Sequence, residues 1–499
     1  MQIDIPDKPK AQLTNALRHY KDLPGPHGVP VLGNALQIKT SSFHLQLERW
    51  CREYGPLFKV QIANRQMLVV GDHQVVTSLL RDRPNGFRRT SRFEEICIEL
   101  KLPLGVFVAN GDTWRRQRAM VMTGFDPAHI KRYFPALQAV SQRLVGRWNL
   151  AAKNGLTINL QADLMRYTVD TIAGLAFGAQ VNTLESDEDV IQQHLDKIFP
   201  ALVKRLLAPV PIWRFVRTDA DRQLAHSIAE VNSAVAGFIM QARERMQANP
   251  TLRQHPSNLL EAMIAAADEP GSGIDDNQVA GNVLTMLLAG EDTTANTIAW
   301  MIYLLWRNPE ALSRATDEVR RVTGGVANPT FEQLEQLHCI ESCAHETMRL
   351  KPVAPIILLE TLHEMTIGDV QVPAGFTVCS LMRRDSVSDN YLTRAAAFEP
   401  ERWLASGEPE AVAHAAKRLS MPFGAGPRIC PGRYLALLEM KMAMAQLLGN
   451  FDIESVDTPD GQEARERLAF TMMPEGLHMR LHRRTLMDCT VQAEPQKSL

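Results

Sequence analysis

Phe423-Gly424-Ala425-Gly426-Pro427-Arg428-Ile429-Cys430-Pro431-Gly432 decides how the rest of this 499-residue chain is read. One cysteine sits in a run of glycines and prolines, with an arginine two residues before it. Gly424, Gly426 and Gly432 permit tight turns and close backbone approach to a flat ligand. Pro427 and Pro431 each fix φ and remove an N–H, so fewer backbone donors need partners. Such a loop can hold one sulfur rigidly with backbone donors aimed at it. The plainer alternative is a buried structural cysteine in a Gly/Pro turn.

A thiolate held in this way is a strong axial ligand for haem iron, pushing electron density onto the metal and favouring O–O cleavage. Arg428 suits a haem propionate, because a guanidinium pairs with carboxylates in a fork geometry. The order Phe-Gly-x-Gly-x-Arg-x-Cys-x-Gly resembles the cysteine loop of the cytochromes P-450. It has six fixed positions in ten residues, which makes it far more specific than a lone Gly-x-Gly.

Outside this loop the composition is that of a globular protein with a sizeable core: 45% hydrophobic and 22% charged residues. Lys+Arg total 54 against Asp+Glu 56, a net charge of −2, which argues against a nucleic-acid partner. Length alone suggests about three domains. No linker cuts the chain, however, so the expectation is an N-terminal extension (1–22), one large domain (23–485) and a polar tail (486–499). The seven cysteines are odd in number and irregular in spacing, which fits a reducing compartment. Residues 1–20 carry Asp4, Asp7, Lys8, Lys10 and Arg18 and lack an apolar h-region. A protein without a membrane anchor, cytoplasmic and of a soluble bacterial type, is therefore expected.

Four further motifs stand in order along the chain. Trp114 and Arg118 are four apart on one helix face and resemble the family's propionate-holding Trp-x-x-x-Arg. A long helix is expected from Asp275 or Asp276 to Arg307, stopped by Asn308-Pro309. Glu291 and Asp292 near its middle each cost about 2–4 kcal/mol in a bilayer, so a buried soluble helix is the better reading. Its Ala289-Gly290-Glu291-Asp292-Thr293-Thr294 segment combines small residues, acids and hydroxyls. It resembles the family's oxygen-activation segment, with Asp292 and Thr293 as the acid–alcohol pair. Glu346 and Arg349 are neighbours three apart, and with Arg402 of Pro400-Glu401-Arg402 they match the family's structural network bracing the cysteine loop. His338, Cys339, Cys343 and His345 offer a rival zinc reading, with spacings unusual for zinc. His345-Glu346 also begins like a zincin motif, but Arg349 stands where the second His belongs.

The resemblance implies a mainly α fold with a small β part, the triangular prism of this family with a long central helix over haem b (iron protoporphyrin IX). It implies Cys430 as axial ligand, and Trp114, Arg118, Phe423 and Arg428 around the cofactor. Many members have an arginine where this chain has Leu359, so Arg383 is expected to supply that charge. Met286, Ala289, Ile356, Ile357, Leu358 and Met472 are expected to form a lipophilic pocket. The implied reaction inserts one atom of dioxygen (O2) into a small lipophilic substrate by hydroxylation or epoxidation. The length leaves no room for a flavin or nicotinamide module, so electrons would come from a separate ferredoxin or flavoprotein reductase. Arg115, Arg116, Lys417, Arg418 and Arg433 are candidates for its docking face. A peroxygenase or rearranging haem enzyme, and a non-enzymatic haem sensor, are the alternatives; neither needs the acid–alcohol pair.

Overall fold

The apolar run after Asp275 forms a helix over Asp276–Arg307, opened by a capping box between Asp275 and Gln278. At 1.5 Å per residue it is ~48 Å long, and the rest of the molecule is wrapped around it. The computed structural model describes residues 17–125, 127–179, 181–185, 190–324, 328–404 and 410–484. Most of the expected N-terminal extension and all of the expected tail lie outside these residues.

The helix Leu160–Phe177 lies along the central helix. Contact is close at Gly290, where an added Cβ would fall 2.9 Å from Ile172 Cδ1. The helices His338–Leu350 and Arg433–Asn450 pack against it elsewhere. Trp148, Tyr167, Trp300 and Phe451 are essentially inaccessible in the resulting core. Each such side chain contributes about 1.5–3 kcal/mol by leaving water. A second core beneath Val190–Leu207 and Asp219–Ala248 is built on Phe177, Val231, Phe238 and Leu260.

The β part is small. Leu57–Ile62 and Arg65–Val70, two short alternating runs around Asn64-Arg65, form a hairpin. They extend into a five-stranded sheet through Thr377–Leu381, Ile356–Thr361 and Phe87–Arg88. Arg18–His19 pairs in parallel with Val370–Val372, and the Arg18 guanidinium takes both oxygens of Asp369 at 2.7 Å.

Three segments differ from what their turn formers suggest. Pro103 and Gly105 suggest irregular structure over 87–110, yet Ser91–Glu99 is a helix, because Phe93, Ile96 and Cys97 share a buried face. Residues 250–273 are polar and rich in turn formers, which suggests a surface loop, yet Leu259–Ala267 is a buried helix whose N-cap Asn258 accepts from the Glu261 amide at 3.0 Å. Pro200 suggests a broken connection between helices, yet Val190–Leu207 runs through it. Pro200 is exposed, so the carbonyl deprived of its donor can be hydrated.

Candidate active site

The loop holding Cys430 is closed on itself by the Cys430 amide, which donates to the Phe423 carbonyl at 2.9 Å. Gly426 has φ 71°, and a Cβ there would sit 2.6 Å from Arg81 Cα. Conformation and space both demand glycine. The helix Arg433–Asn450 starts three residues after the sulfur, with its positive dipole end turned to it. Burial pushes the Cys430 thiol up, while the Gly432 amide and the nearby Arg118 and Arg433 pull it down. A bound metal would settle this in favour of the thiolate. Arg118 also fixes the loop by donating to the Ile429 carbonyl at 2.8 Å.

Between this loop and the central helix lies a cavity with Cys430, Phe423, Trp114, Arg118 and Arg428 on one side. Met286, Ala289 and Thr293 of the central helix, and Ile356, Ile357 and Leu358 of a strand, face it from others. The far end is roofed by aromatics that sequence reasoning did not assign. Phe199 stacks on Phe470 at 4.2 Å, and Phe107 and Phe93 meet Phe470 at 5.9 and 6.3 Å.

Four arginines, Arg83, Arg89, Arg118 and Arg428, line the same cavity, and none has a carboxylate partner among the described residues. Burial and the neighbouring cations Arg83 and Arg428 lower the Arg89 guanidinium to about 9. Burial with Arg83 and Arg118 lowers Arg428 to about 10, and burial alone takes Arg83 to about 10. The Arg428 Nε is buried without a partner, while its Nη2 donates to the Ala109 carbonyl at 2.6 Å and its guanidinium covers the Trp114 ring at 4.7 Å. Gathered cations without acids are costly unless anions meet them. A planar cofactor with two carboxylates at one edge and a metal seeking sulfur fits this donor set.

Arg383, expected to hold a propionate, does not line the cavity. It binds Glu48 and Glu466 at 2.7–3.0 Å, and these acids hold its proton more firmly than usual. Arg83 and Arg89 do line the cavity, and are the candidates for the positive charge absent at Leu359. We therefore expect Arg89→Leu to lose haem on gel filtration. Arg383→Leu, which takes this cation from Glu48 and leaves Glu466 with Lys351 and His44, should lower the melting temperature of haem-free and haem-loaded protein alike. Equal haem loss from both variants would overturn this assignment.

Met472 is also corrected. It is fully buried in the core, its amide donating to the Val353 carbonyl at 2.8 Å, and the cavity is met by Phe470 and Thr471 instead. Asp292 and Thr293 are not a hydrogen-bonded pair. Thr293 lines the cavity with its hydroxyl on the Ala289 carbonyl at 2.7 Å, whereas the Asp292 carboxyl is turned away, bonded to Asn296 and Thr471.

The three members of the expected network do meet. Glu346 accepts from Arg349 Nε and Nη2 at 2.8 and 2.7 Å, from Trp403 Nε1 at 2.9 Å and from the Glu399 amide at 2.9 Å. Arg402 Nε lies 3.4 Å from the same carboxylate. His345, part of the rival zinc set, stacks on Trp403 at 5.0 Å. No group of three or more His, Cys, Asp or Glu is gathered as a metal site among the described residues.

Sequence reasoning missed Arg83, Arg89 and Glu439, and in the turn 469–473, which the resemblance implies dips into the pocket, it singled out Met472 and not Phe470 and Thr471. The arginine-dense run Arg81, Arg83, Arg88, Arg89, Arg92 was the available signal for the first two. Glu439 is buried on the cavity wall beside Thr294, and burial pushes its carboxyl up to about 8. The unfolded chain ionises this group from its ordinary 4.5, whereas the folded protein keeps its proton until about 8. Folding stability therefore falls as pH rises through that window. Glu439→Gln should remove this slope: the melting temperature of the variant relative to the parent should climb between pH 5 and 8. A constant difference would show that Glu439 is ionised in the fold.

Relatives place this geometry. A chloroplastic cytochrome P-450 97B2 of Glycine max is 26% identical over 459 residues, spanning 83% of this chain and 78% of its own. A chloroplastic carotene epsilon-monooxygenase of Arabidopsis thaliana is 25% identical, covering 92% of this chain and 86% of its own. A bifunctional cytochrome P-450/NADPH–P-450 reductase of Aspergillus oryzae is 28% identical over 93% of this chain, which spans only 42% of that protein. Among solved structures, the crystal structure of a cytochrome P-450DA mutant heme domain superposes with a TM-score of 0.80 at 26% identity, covering 93% of this chain and 98% of the other. The cytoplasmic expectation is overturned by the chloroplastic plant relatives; cysteine usage reports a reducing milieu, which is no property of the cytoplasm alone. No helix among the described residues is long and apolar enough to cross a membrane. The family model for cytochrome P-450 matches residues 23–481, and by that match the chain belongs to the cytochrome P-450 family, as a haem-thiolate monooxygenase that uses protoporphyrin IX haem.

Proposed function

We propose that this monooxygenase hydroxylates a small, hydrocarbon-rich substrate, with electrons delivered by a separate acidic ferredoxin or flavoprotein. The observation that carries the reading is the cavity itself. It has a sulfur and, at the same end, arginines that meet no carboxylate among the described residues, with Phe93, Phe107, Phe199 and Phe470 at the other end. Haem, when bound, supplies the redox chemistry that activates dioxygen. The rest is the work of this chain. Cys430 would ligate the iron, held by the Phe423 carbonyl and the Gly432 amide. Arg83, Arg89, Arg118 and Arg428 would neutralise the propionates. Ile356, Ile357, Leu358, Met286 and Ala289 exclude water and offer the substrate an apolar wall, while Thr293 presents a hydroxyl at the cavity edge.

A carotene monooxygenase among the relatives supports an apolar substrate, and hydroxylation as the first outcome to look for. Exposed Arg115, Arg116, Lys417 and Arg418 support an acidic donor, because complementary charge steers such encounters. The test is a screen of lipophilic compounds for a shift of the haem Soret band. Turnover of each binder with a surrogate donor and isotopically labelled dioxygen follows. One labelled oxygen in the product supports the reading, as a hydroxyl or, where a double bond meets the site, as an epoxide. Binding and reduction without labelled product would favour a rearranging enzyme or a sensor.

A further inference from the structure

Cys339 and Cys343 stand four residues apart on the first turns of the helix His338–Leu350 and so share a face, and neither lines the haem cavity. Helical geometry puts their Cα atoms about 6.2 Å apart, inside the roughly 4.4–6.8 Å that a disulfide spans. The two thiols are hydrogen-bonded to each other. Their access to solvent differs: Cys343 is 0% exposed within the main core, whereas Cys339 is half-buried at its margin. The Cys339 and Ile340 amides donate to the two oxygens of Glu318 at 2.8 and 3.0 Å, which fixes the backbone carrying the outer sulfur.

The hydrogen bond from Cys343 lowers the Cys339 thiol from its ordinary value, with help from Arg314 and against burial and the Glu318 and Glu401 carboxylates. The other described thiols, Cys430 aside, go the opposite way. Burial pushes Cys51 up to about 11, and Cys97 and Cys379 up to about 12. The thiolate is the nucleophilic form of cysteine. Cys339 therefore joins access to reactivity, with a second sulfur one turn behind it. The bland rival is a pair of small apolar side chains filling a contact between helices.

We propose that Cys339 and Cys343 are a dithiol that hydrogen peroxide oxidises to a disulfide, with Cys339 as the attacking sulfur and Cys343 as the resolving one. The oxidant is the two-electron reduction product of the dioxygen this enzyme uses. The Cys339 thiolate attacks one peroxide oxygen and the O–O bond breaks. That oxygen stays on sulfur as a sulfenic acid, and the other leaves as hydroxide, which takes up the proton Cys339 had lost and becomes water. The Cys343 sulfur then attacks the Cys339 sulfur. The S–S bond forms, the S–O bond breaks, and the hydroxyl departs with the Cys343 proton as a second water. The two thiols give up two electrons and two protons in all, and one peroxide becomes two waters. The bridge keeps Cys339 from the irreversible sulfinic stage. In a reducing milieu the pair rests as thiols.

The haem-loaded protein, with imidazole on the iron to keep peroxide from it, is treated with hydrogen peroxide, and the remaining thiols are alkylated. Both cysteines fall in one tryptic peptide, because no Lys or Arg stands between Arg321 and Arg349. In the parent this peptide should lose two hydrogens and escape alkylation at least about tenfold faster than Cys51, Cys97 or Cys379 is oxidised, as their smaller thiolate fractions require. Dithiothreitol should return both thiols. Cys343→Ser and Cys343→Ala should stop at a sulfenic acid on Cys339, captured by dimedone, and Cys339→Ser should leave Cys343 unoxidised. Phenylarsine oxide, which is held by two adjacent thiols, tests the pairing without an oxidant: the parent should bind it through this peptide, and Cys339→Ser should not. A parent whose peptide keeps both thiols while the buried cysteines oxidise overturns the inference. So does Cys339 oxidation that never closes to a bridge, or arsenical binding that survives in Cys339→Ser.

Discussion

Cys430→Ser should abolish the thiolate-specific absorption band of the reduced, carbon monoxide-treated protein and lower product formation by at least ~10³-fold, the scale of removing a group that acts directly on the reacting centre. The side chain loses little volume, so the fold should persist. The loop remains closed by the Phe423 carbonyl and the 430 amide, which are backbone groups. The four cavity arginines are untouched, so haem should still be retained. Far-ultraviolet circular dichroism should match the parent, while the electronic spectrum changes. A thiolate band surviving in the serine variant would mean that another sulfur reaches the iron and that the cysteine loop was misread.

Glu346→Gln is the second large effect, and it acts on the fold. Glu346 and Arg349 are both completely buried. The carboxylate accepts from one arginine through two nitrogens and also from Trp403 and the Glu399 amide. An amide in its place turns an N–H toward other donors, leaves Arg349 without its charge partner and leaves Arg402 with Glu399 alone. Breaking a buried pair in this way costs about 3–5 kcal/mol. Arg349 also donates to the carbonyls of Ala395 and Ala397, at 2.6 and 3.0 Å, so the stretch around these two residues should loosen. The expected result is a large fall in melting temperature and a low yield of haem-loaded protein. A variant that melts with the parent would demote the network to decoration.

The parts of this molecule governed by short-range rules were legible in the chain. The central helix is bounded by a capping box and an Asn-Pro stop, both local chemistry. The cysteine loop could be read because glycine, proline and sulfur carry their roles with them. What stayed hidden depended on distance or on phase. Arg383 looked free because Glu48 is 335 residues away and Glu466 is 83 away, and only folding brings them together. Arg83 and Arg89 looked like surface charge because nothing local says that they face a cavity. Met472 and Thr471 differ by one residue, which in a strand or tight turn exchanges wall for core. The helices Ser91–Glu99 and Leu259–Ala267 were obscured by nearby turn formers that lie just outside them.

The Arg89 guanidinium lies 4.0 Å over the ring of Phe107, and that ring touches Phe93 and Phe470. One residue thus leans on the cofactor's seat and on the ceiling above the substrate. A guest bulky enough to spread the aromatic rings tugs at the anchoring charge. Departure of the cofactor, in turn, slackens the ceiling. Grip on the prosthetic group and choice of guest are mechanically joined in this enzyme, and altering either will be felt in the other.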